Sequence, residues 1–222
     1  MKKLLFLLFI SIPFSHLSSQ DEEDIYAKIE YEIEKRNSPN ETITVDEISN
    51  GIFSAPVTIN FYGNGGKDAY YYTWYFYKKA DQQNPFARYT DKNIRYTFEE
   101  FGEFVIKLEV ADKNSENVSE DTYSFRVAES YIDPPNYFSP GDTPGSNDEF
   151  RVAYKSIVEF KITIFNRWGV KLYESNDPSK GWDGKYKGKY VNTGVYYYVI
   201  YARGADGVKH TRKGDINILR SR

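Results

Sequence analysis

Apolar and polar residues alternate along most of this chain. In one segment Val57, Ile59 and Phe61 alternate with polar neighbours, and in another Tyr72, Trp74 and Phe76 do the same. A period of two places every second side chain on one face, which predicts a strand with one buried side. The pattern predicts strands over 25–33, 57–62, 72–77, 104–111, 123–127, 158–165, 195–201 and 210–219.

The first of these segments is open to a second interpretation. Ile25, Ile29 and Ile33 also have helical spacing. We favour a strand because the alternation is unbroken and residues 37–40, Asn-Ser-Pro-Asn, are typical of a turn. A second strand, Thr42 to Val45, is then expected to pair back on the first. No amphipathic helix is predicted anywhere in the chain.

The spacing of the strands predicts the fold class. About seven short strands in roughly a hundred residues is the rhythm of an immunoglobulin-like sandwich. Consecutive prolines at Pro134 and Pro135 then interrupt the pattern, and further strands follow. We therefore expect an all-β protein with two tandem immunoglobulin-like β-sandwich domains, at residues 21–131 and 132–222, after a cleaved signal peptide at 1–20.

The signal peptide is predicted from the first twenty residues. Lys2 and Lys3 precede an apolar run from Leu4 to Phe14, and small residues follow at Ser18 and Ser19. Charge, a short apolar run and small residues in this order are typical of a secretory signal. The run is too short for the roughly 18 apolar residues of a membrane span, although an anchor helix is the alternative. The absence of Cys excludes lipid attachment near the cleavage site.

Charge and composition exclude several classes of function. The chain has 29 Lys and Arg against 32 Asp and Glu, a formal net charge of −3, and loss of residues 1–20 makes it more acidic. An acidic chain is unsuited to nucleic acid or anionic lipid. The longest uncharged aromatic run, Tyr190 to Ala202, is too short to span a bilayer, so no membrane-spanning segment is expected after the signal. Without Cys, the folded chain must be held together by its core alone or by ions.

The first predicted domain resembles the PKD-like domain, an extracellular sandwich. The resemblance lies in 55–61, in the aromatic strand 72–76, and above all in 96–110. In that block Tyr96-Thr97-Phe98 precedes Phe101-Gly102-Glu103-Phe104 and an alternating apolar run. The Gly-Asp-Gly that usually follows the Trp strand is replaced by Lys78-Lys79-Ala80-Asp81.

The second predicted domain resembles the gliding-motility-associated C-terminal domain, and the resemblance covers residues 135–220 of this chain. Four spaced motifs occur in the order of that family, at 135–140, 147–150, 165–169 and 181–184, followed by Gly194 and a closing Arg220. The first loop departs from the family's Asn-Gly-Asp-Gly. The sorting-motif positions that the resemblance implies are Asn136, Phe138, Pro140, Asn147, Asp148, Asn166, Arg167, Trp168, Gly169, Trp182, Asp183, Gly184, Gly194 and Arg220.

The resemblance implies export and display rather than catalysis. In the family this domain ends surface or secreted proteins of Bacteroidota, and in many it is a type B sorting signal for the type IX secretion system after Sec export. We therefore expect passage through the periplasm to the cell surface or the extracellular space. The expected partners are the outer-membrane secretion machinery or surface proteins. The alternative is an adhesin-like module that binds glycan or protein through exposed aromatics.

Candidate catalytic and metal-binding residues are few. After the signal the chain retains one histidine, His210, which we expect to be exposed on a strand and which no Gly-x-Ser-x-Gly elbow accompanies. A zinc site needs several Cys or His ligands, which this chain cannot supply. Asp183 is the most conspicuous acid, and we favour a turn residue bonded to nearby backbone N–H groups over a glycosidase carboxylate. No enzyme activity and no cofactor are expected.

Three further features each leave alternatives open. The oxygen-rich loop from Asp142 to Asp148 suits either calcium or Asx turns. The tyrosines at 70–72 and 196–198 suit cross-strand packing first, a protein interface second and sugar stacking third. Arg167 and Trp168 fit either a guanidinium stacked on an indole at a bend or docking to the export machinery.

Overall fold

A computed structural model describes residues 25–34, 40–141 and 147–220. The predicted signal peptide lies outside these residues. Across the described chain one short helix accompanies seventeen strands. The predicted all-β sandwich fold is therefore confirmed.

In the first sandwich a sheet of three strands packs against a sheet of five strands. The sheet orders are β1-β3-β6 and β2-β8-β7-β4-β5. The elements are β1 Ala27–Ile33, α1 Val45–Ser49, β2 Ile52–Phe53, β3 Val57–Gly65, β4 Tyr71–Lys78, β5 Ala87–Tyr89, β6 Asn93–Phe98, β7 Gly102–Ala111 and β8 Val118–Val127.

The alternation seen in the sequence produces the core between these two sheets. Ile59 and Phe61 of β3 point inward, as do Trp74 and Phe76 of β4, and all four side chains are fully buried. The Phe61 ring meets the Trp74 and Phe76 rings at centroid distances of 5.9 and 5.6 Å. Trp74 also donates its indole N–H to the carbonyl of Asp91 over 2.9 Å, so its one polar atom is satisfied inside the core.

The predicted strand from Thr42 to Val45 is wrong. Thr44 is the N-cap of α1, because its hydroxyl accepts a hydrogen bond from the Glu47 N–H at 3.1 Å and Glu47 Oε2 accepts one from the Thr44 N–H at 2.9 Å. This reciprocal pair is a capping box, which starts a helix rather than a strand. The strand assignment of β1 is confirmed, but its partner is β3, with Ala27 opposite Gly65.

The second sandwich has one long sheet and two short strand pairs. The sheet order is β10-β17-β16-β12-β13, and the pairs are β9 with β11 and β14 with β15. The strands are β9 Tyr131–Asp133, β10 Tyr137–Phe138, β11 Ala153–Lys155, β12 Ile157–Phe165, β13 Lys171–Ser175, β14 Lys185–Tyr186, β15 Lys189–Tyr190, β16 Gly194–Gly204 and β17 Lys209–Ile218.

The core of the second sandwich lies between this long sheet and the segments that cover it. Ile162 and Ile164 of β12 pack beside Ile200 of β16. Tyr198 of β16 is buried, whereas Tyr197 is exposed on the opposite face, as the alternation predicts. The covering aromatics are Phe138, Phe150, Tyr154 and Trp182.

The two sandwiches are in direct contact at the start of β12. The Ser156 N–H donates to Ser54 Oγ at 2.9 Å, and Ser156 Oγ accepts from the Ala55 N–H at 3.2 Å. Val158 and Ala205 of the second sandwich pack against the first core. Because polar and apolar contacts coincide here, the first sandwich covers one end of the second.

The segment before α1 also binds the second sandwich. The backbone N–H of Thr42 donates to the Tyr154 carbonyl at 2.8 Å, next to a parallel bridge between Glu41 and Tyr154. Glu47 of α1 accepts a salt bridge of 2.7 Å from Lys155. This segment, expected to be a strand of the first sheet, instead connects the two sandwiches.

Candidate functional site

The long strands of the second sandwich run away from the first sandwich. β12 begins at Ile157, beside the contact with Ser54, and ends at Phe165. At about 3.3 Å per residue its nine residues span about 30 Å. The antiparallel strand β16 begins at Gly194, near the end of β12. We call the end of the sandwich that contains Phe165 and Gly194 the distal end.

A tight hairpin at the distal end connects β12 to β13. Asn166 Oδ1 accepts hydrogen bonds from the N–H groups of Trp168 and Val170, both at 3.0 Å. The Gly169 N–H donates to the Asn166 carbonyl at 3.0 Å, and Gly169 has φ 77°, a conformation that glycine adopts without strain. Asn166 and Gly169 therefore shape the turn, and they leave the two residues between them at its tip.

Those two residues, Arg167 and Trp168, project into solvent. Trp168 is 78% exposed, while Trp74 and Trp182 are 0% and 1% exposed. The Arg167 Cζ lies 5.5 Å from the centre of the Trp168 ring, a cation–π contact that at exposed sites contributes about 0.5–1 kcal/mol. The predicted guanidinium–indole contact is present. Trp168 has a large exposed ring, and Trp is one of the residue types that dominate the energetics of protein interfaces.

A shallow groove of about 340 Å³ lies beside the hairpin. We call it the distal groove. Gly194 lines it at the start of β16, and Leu172 and Val195 add apolar surface. Its polar and aromatic lining is formed by Asn166, Arg167, Trp168, Tyr186, Tyr190 and Tyr196.

Two cations flank Tyr190 in this groove. Lys185 Nζ lies 4.8 Å and Arg220 Cζ lies 4.9 Å from the centre of the Tyr190 ring. Arg220 follows β17, so the chain after the last strand returns to the groove. The structure thus brings together Asn166, Arg167, Trp168, Gly194 and Arg220, which are far apart in the sequence.

Four other predicted motif residues form the interior below this end. Trp182 donates its indole N–H to the Lys185 carbonyl at 2.9 Å and packs against Phe138 with ring centroids 5.6 Å apart. Gly184 has φ 74°, and a Cβ placed there would lie 2.8 Å from Pro140 Cγ. These contacts give Phe138, Pro140, Trp182 and Gly184 a packing role.

Asp183 is a turn residue. Its Oδ1 accepts from the Lys185 N–H at 3.0 Å, and its Oδ2 lies 3.0 Å from Lys185 Nζ. The hydrogen bond to this carboxylate raises the pKa of Lys185 above its ordinary value. The backbone contact is the one that the sequence favoured for Asp183, and it leaves the carboxylate paired with a lysine at the border of the distal groove.

The remaining motif residues lie beside β10. The Asn136 carbonyl accepts from the Asn217 N–H at 2.9 Å, and the Asn147 carbonyl accepts from the Ser139 N–H at 2.8 Å. Asn147 has φ 57°, and Asp148 is partly buried next to it. The proposed calcium loop includes residues 142–146, which lie outside the described residues. Within the described part of the chain no three His, Cys, Asp or Glu side chains form a metal-binding group.

The expected exposure of His210 is wrong, because its side chain is buried at the junction of the two sandwiches. Its Nε2 lies 2.7 Å from Ser130 Oγ, which also lies 2.8 Å from both carboxylate oxygens of Asp206. Burial lowers the pKa of His210 below its ordinary value. This cluster could not be predicted from the sequence, because Ser130 is 80 residues away from His210.

The Ser130 cluster does not have the geometry of a hydrolase triad. In a triad the imidazole lies between the serine and the carboxylate and takes the serine proton. Here the serine lies between Asp206 and His210. Asp206 also accepts from the N–H groups of Ser130 and Val208, at 2.8 and 3.0 Å. These bonds attach the connection between the sandwiches to the turn between β16 and β17.

The described part of the chain contains no helix that is long and apolar enough to cross a bilayer.

Comparison with family models gives a match within the second sandwich. Residues 132–218 match the CHU_C Type IX secretion signal domain. The match includes thirteen of the fourteen predicted sorting-motif positions and ends two residues before the other, Arg220. No curated protein matches the chain.

Solved structures with similar folds are distant in sequence. The chain is 11% identical to fibronectin(III)-like modules of Clostridium thermocellum CbhA, with a TM-score of 0.28 and coverage of 86% of this chain and 95% of that one. The chain is 15% identical to latent PorU from Porphyromonas gingivalis, with a TM-score of 0.28. That alignment covers 90% of this chain but only 21% of PorU. It is 12% identical to a β-sandwich carbohydrate-binding module, with a TM-score of 0.31 and coverage of 89% and 84%.

Proposed function

We propose that residues 132–222 form a sorting module that directs the chain through the type IX secretion pathway to the cell surface or the extracellular space. Residues 21–131, a PKD-like sandwich, are the cargo, and residues 1–20 direct the earlier step across the inner membrane through Sec. The observation that carries the proposal is the match of 132–218 to a Type IX secretion signal domain.

The arrangement of the motif residues supports this role. One set packs below the distal end, and another set forms an exposed hairpin and groove above it. A module recognised by other proteins needs a rigid support and an accessible surface, and hot-spot residues are typically Trp, Tyr and Arg. In the exposed set Arg167, Trp168 and Arg220 are residues of these types. The proposal assigns no catalytic residue and no cofactor.

The test uses the full chain in a bacterium with a working type IX system. Antibodies to the purified protein would be applied to intact and to permeabilised cells, and the culture medium would be assayed. We expect the protein on intact cells or in the medium. In the matched strain that lacks the type IX outer-membrane translocon, we expect it only after permeabilisation. Equal labelling of intact cells in both strains would contradict the proposal.

A second candidate function is binding of glycan or protein by the first sandwich. Tyr70 and Tyr71 are both more than 45% exposed, and their rings form an edge-on pair with centroids 4.8 Å apart. Exposed aromatic faces of this kind stack on sugars or on protein side chains. A glycan array probed with the wild-type chain and with Tyr70→Ala/Tyr71→Ala tests the glycan form, with Tyr137→Ala as an exposed-tyrosine control.

A further inference from the structure

The distal groove is bordered mainly by positive charge. Arg167 and Lys189 line it, Lys185 and Arg220 flank Tyr190, and the Lys187 Nζ lies 5.3 Å from the Tyr186 ring centre. Among the residues that the structure describes, Asp183 is the acid at this border, and it is already paired with Lys185. The chain as a whole has a net charge of −3, so this concentration of cations is a local feature.

Arg167 and Arg220 are the cations of this border that keep hydrogen-bond donors for a ligand while their guanidinium groups contact aromatic rings. The Arg167 and Arg220 guanidinium groups are held against the Trp168 and Tyr190 rings. Arg220 donates one hydrogen bond, from Nη1 to the Val191 carbonyl at 3.5 Å, and a guanidinium has five N–H donors, so the others are left for a carboxylate. The ring contact also restricts the side chain before a ligand arrives, which reduces the entropy lost on binding.

The residue types favour a protein ligand. Trp, Tyr and Arg are the residues most enriched at the energetic centres of protein interfaces. The apolar surfaces of Leu172 and Val195 add a floor for side chains of a peptide. The groove also lies at the end of the sandwich opposite to the contact between Ser54 and Ser156, so a partner would reach it without displacing the first sandwich.

We propose that the distal groove binds an acidic peptide segment of a partner protein, with carboxylates on Arg167 and Arg220 and an apolar or aromatic side chain against Trp168. This inference rests on the proposed function for its biological setting, in which the partner belongs to the export pathway. The binding itself follows from the charge and shape of the groove.

The binding test uses the full chain after residue 20 and a fluorescein-labelled octapeptide of glutamate with one central tryptophan. Fluorescence anisotropy at low salt should show saturable binding that weakens as salt is added, because carboxylate–cation contacts are screened. Both arginines are exposed, and an exposed carboxylate–cation pair contributes a modest free energy, so Arg167→Gln and Arg220→Gln should each weaken binding about two- to fivefold.

Control variants make the result specific to the groove. Lys213→Gln removes the same charge from an exposed position on β17 and should leave the affinity unchanged. Trp168→Ala should weaken binding without removing charge. Circular dichroism and thermal unfolding of each variant would establish that it is folded. Equal affinity for all variants, or absence of binding at low salt, would overturn the inference.

Two further outcomes separate the possible ligands and the two proposals. If dextran sulfate binds the groove more tightly than the peptide and competes with it, the ligand is an anionic glycan and the peptide proposal is wrong. If export needs the type IX translocon but the groove variants bind like wild type, only this inference fails. If export is independent of the translocon while the groove binds the peptide, the sorting proposal fails instead.

Discussion

Ser156 and Ser54 connect the two sandwiches through a buried hydrogen bond of 2.9 Å, in which the Ser156 N–H donates to Ser54 Oγ. The Ser156 hydroxyl accepts from the Ala55 N–H at 3.2 Å, and the Ser156 carbonyl accepts from the Ala205 N–H at 2.9 Å. One residue therefore satisfies backbone groups of both sandwiches. The two sandwiches are therefore held together by the buried polar contacts of Ser156 as well as by apolar packing.

Ser156→Ala should lower the free energy of unfolding by about 1–3 kcal/mol, because it leaves the Ala55 N–H buried without its acceptor. Urea denaturation followed by tryptophan fluorescence measures the change. Ser156 has φ 49°, so strain from the positive angle must be separated from the lost hydrogen bond. Ser115→Ala is the matched control, since Ser115 has φ 60° and is exposed. An equal loss in the two variants would show that the Ser156 hydroxyl contributes nothing.

His210→Gln should change how stability depends on pH. The folded pKa of His210 lies below its ordinary value of 6.5, mainly because of burial, so the unfolded chain binds a proton more readily. The His210 contribution is therefore fully present above pH 6.5 and is lost as the pH falls through the folded pKa. Urea denaturation between pH 7.5 and pH 5 should show this loss in the wild type and a flatter profile in the variant.

The neighbouring Asp206 carboxylate does not obscure this window. Asp206 has a pKa lowered below its ordinary 3.8 despite desolvation, through hydrogen bonds from Ser130 and Val208, so its titration falls at more acidic pH. Glutamine retains a side-chain N–H that is able to donate to Ser130 Oγ. Parallel pH profiles for wild type and His210→Gln would contradict the assignment of the slope to His210.

Two tryptophans of the second sandwich should respond differently to truncation. Trp182 is fully buried against Phe138, so Trp182→Ala should cost about 3–5 kcal/mol of stability. Trp168 is exposed, so Trp168→Ala should change stability by no more than about 0.5–1 kcal/mol while it reduces export. Denaturation and the labelling of intact cells measure the two effects. A large loss of stability in Trp168→Ala would assign that residue to packing.

Gly184→Ala should be more destabilising than Gly169→Ala. Both glycines have positive φ, 74° and 77°, so each alanine variant pays a similar backbone cost of about 1 kcal/mol. At Gly184 the added Cβ would also lie 2.8 Å from Pro140 Cγ, whereas at Gly169 it meets no atom within 4 Å. The difference in midpoint of thermal unfolding measures the close approach to Pro140. Equal midpoints would show that the segment around Pro140 moves aside without cost.

The helix α1 shows what strand periodicity could not reveal. Thr42 to Val45 has a β-branched composition that favours a strand, but the Thr44-x-x-Glu47 spacing is a helix start. Attention to this local signal would have identified the helix. The binding of Thr42 to Tyr154 had no comparable signal, because the two residues are 112 positions apart and neither carries a pattern that specifies the other.

His210 and Val158 show the same limit for side chains. His210 lies in a strand next to Lys209 and Thr211, and its burial depends on Ser130 and Asp206. Regular alternation in the predicted strand 158–165 would place Val158 on the same face as Phe160. A shift in the pairing of β12 with β16 follows Ile157, and Val158 packs against the first sandwich instead. Strand alternation assumes a regular ladder, so an irregularity moves a side chain to another surface.

The sequence by itself determined the long alternating strands and the all-β sandwich class, because alternation is a local consequence of side-chain order. The tertiary structure alone decided which motif residues are core and which are surface. Positions 168 and 182 are both tryptophan and lie in neighbouring motifs, yet Trp168 is exposed and Trp182 is buried. The difference arises because burial depends on which distant segments pack over a side chain, and the Asn166 turn directs Trp168 away from them.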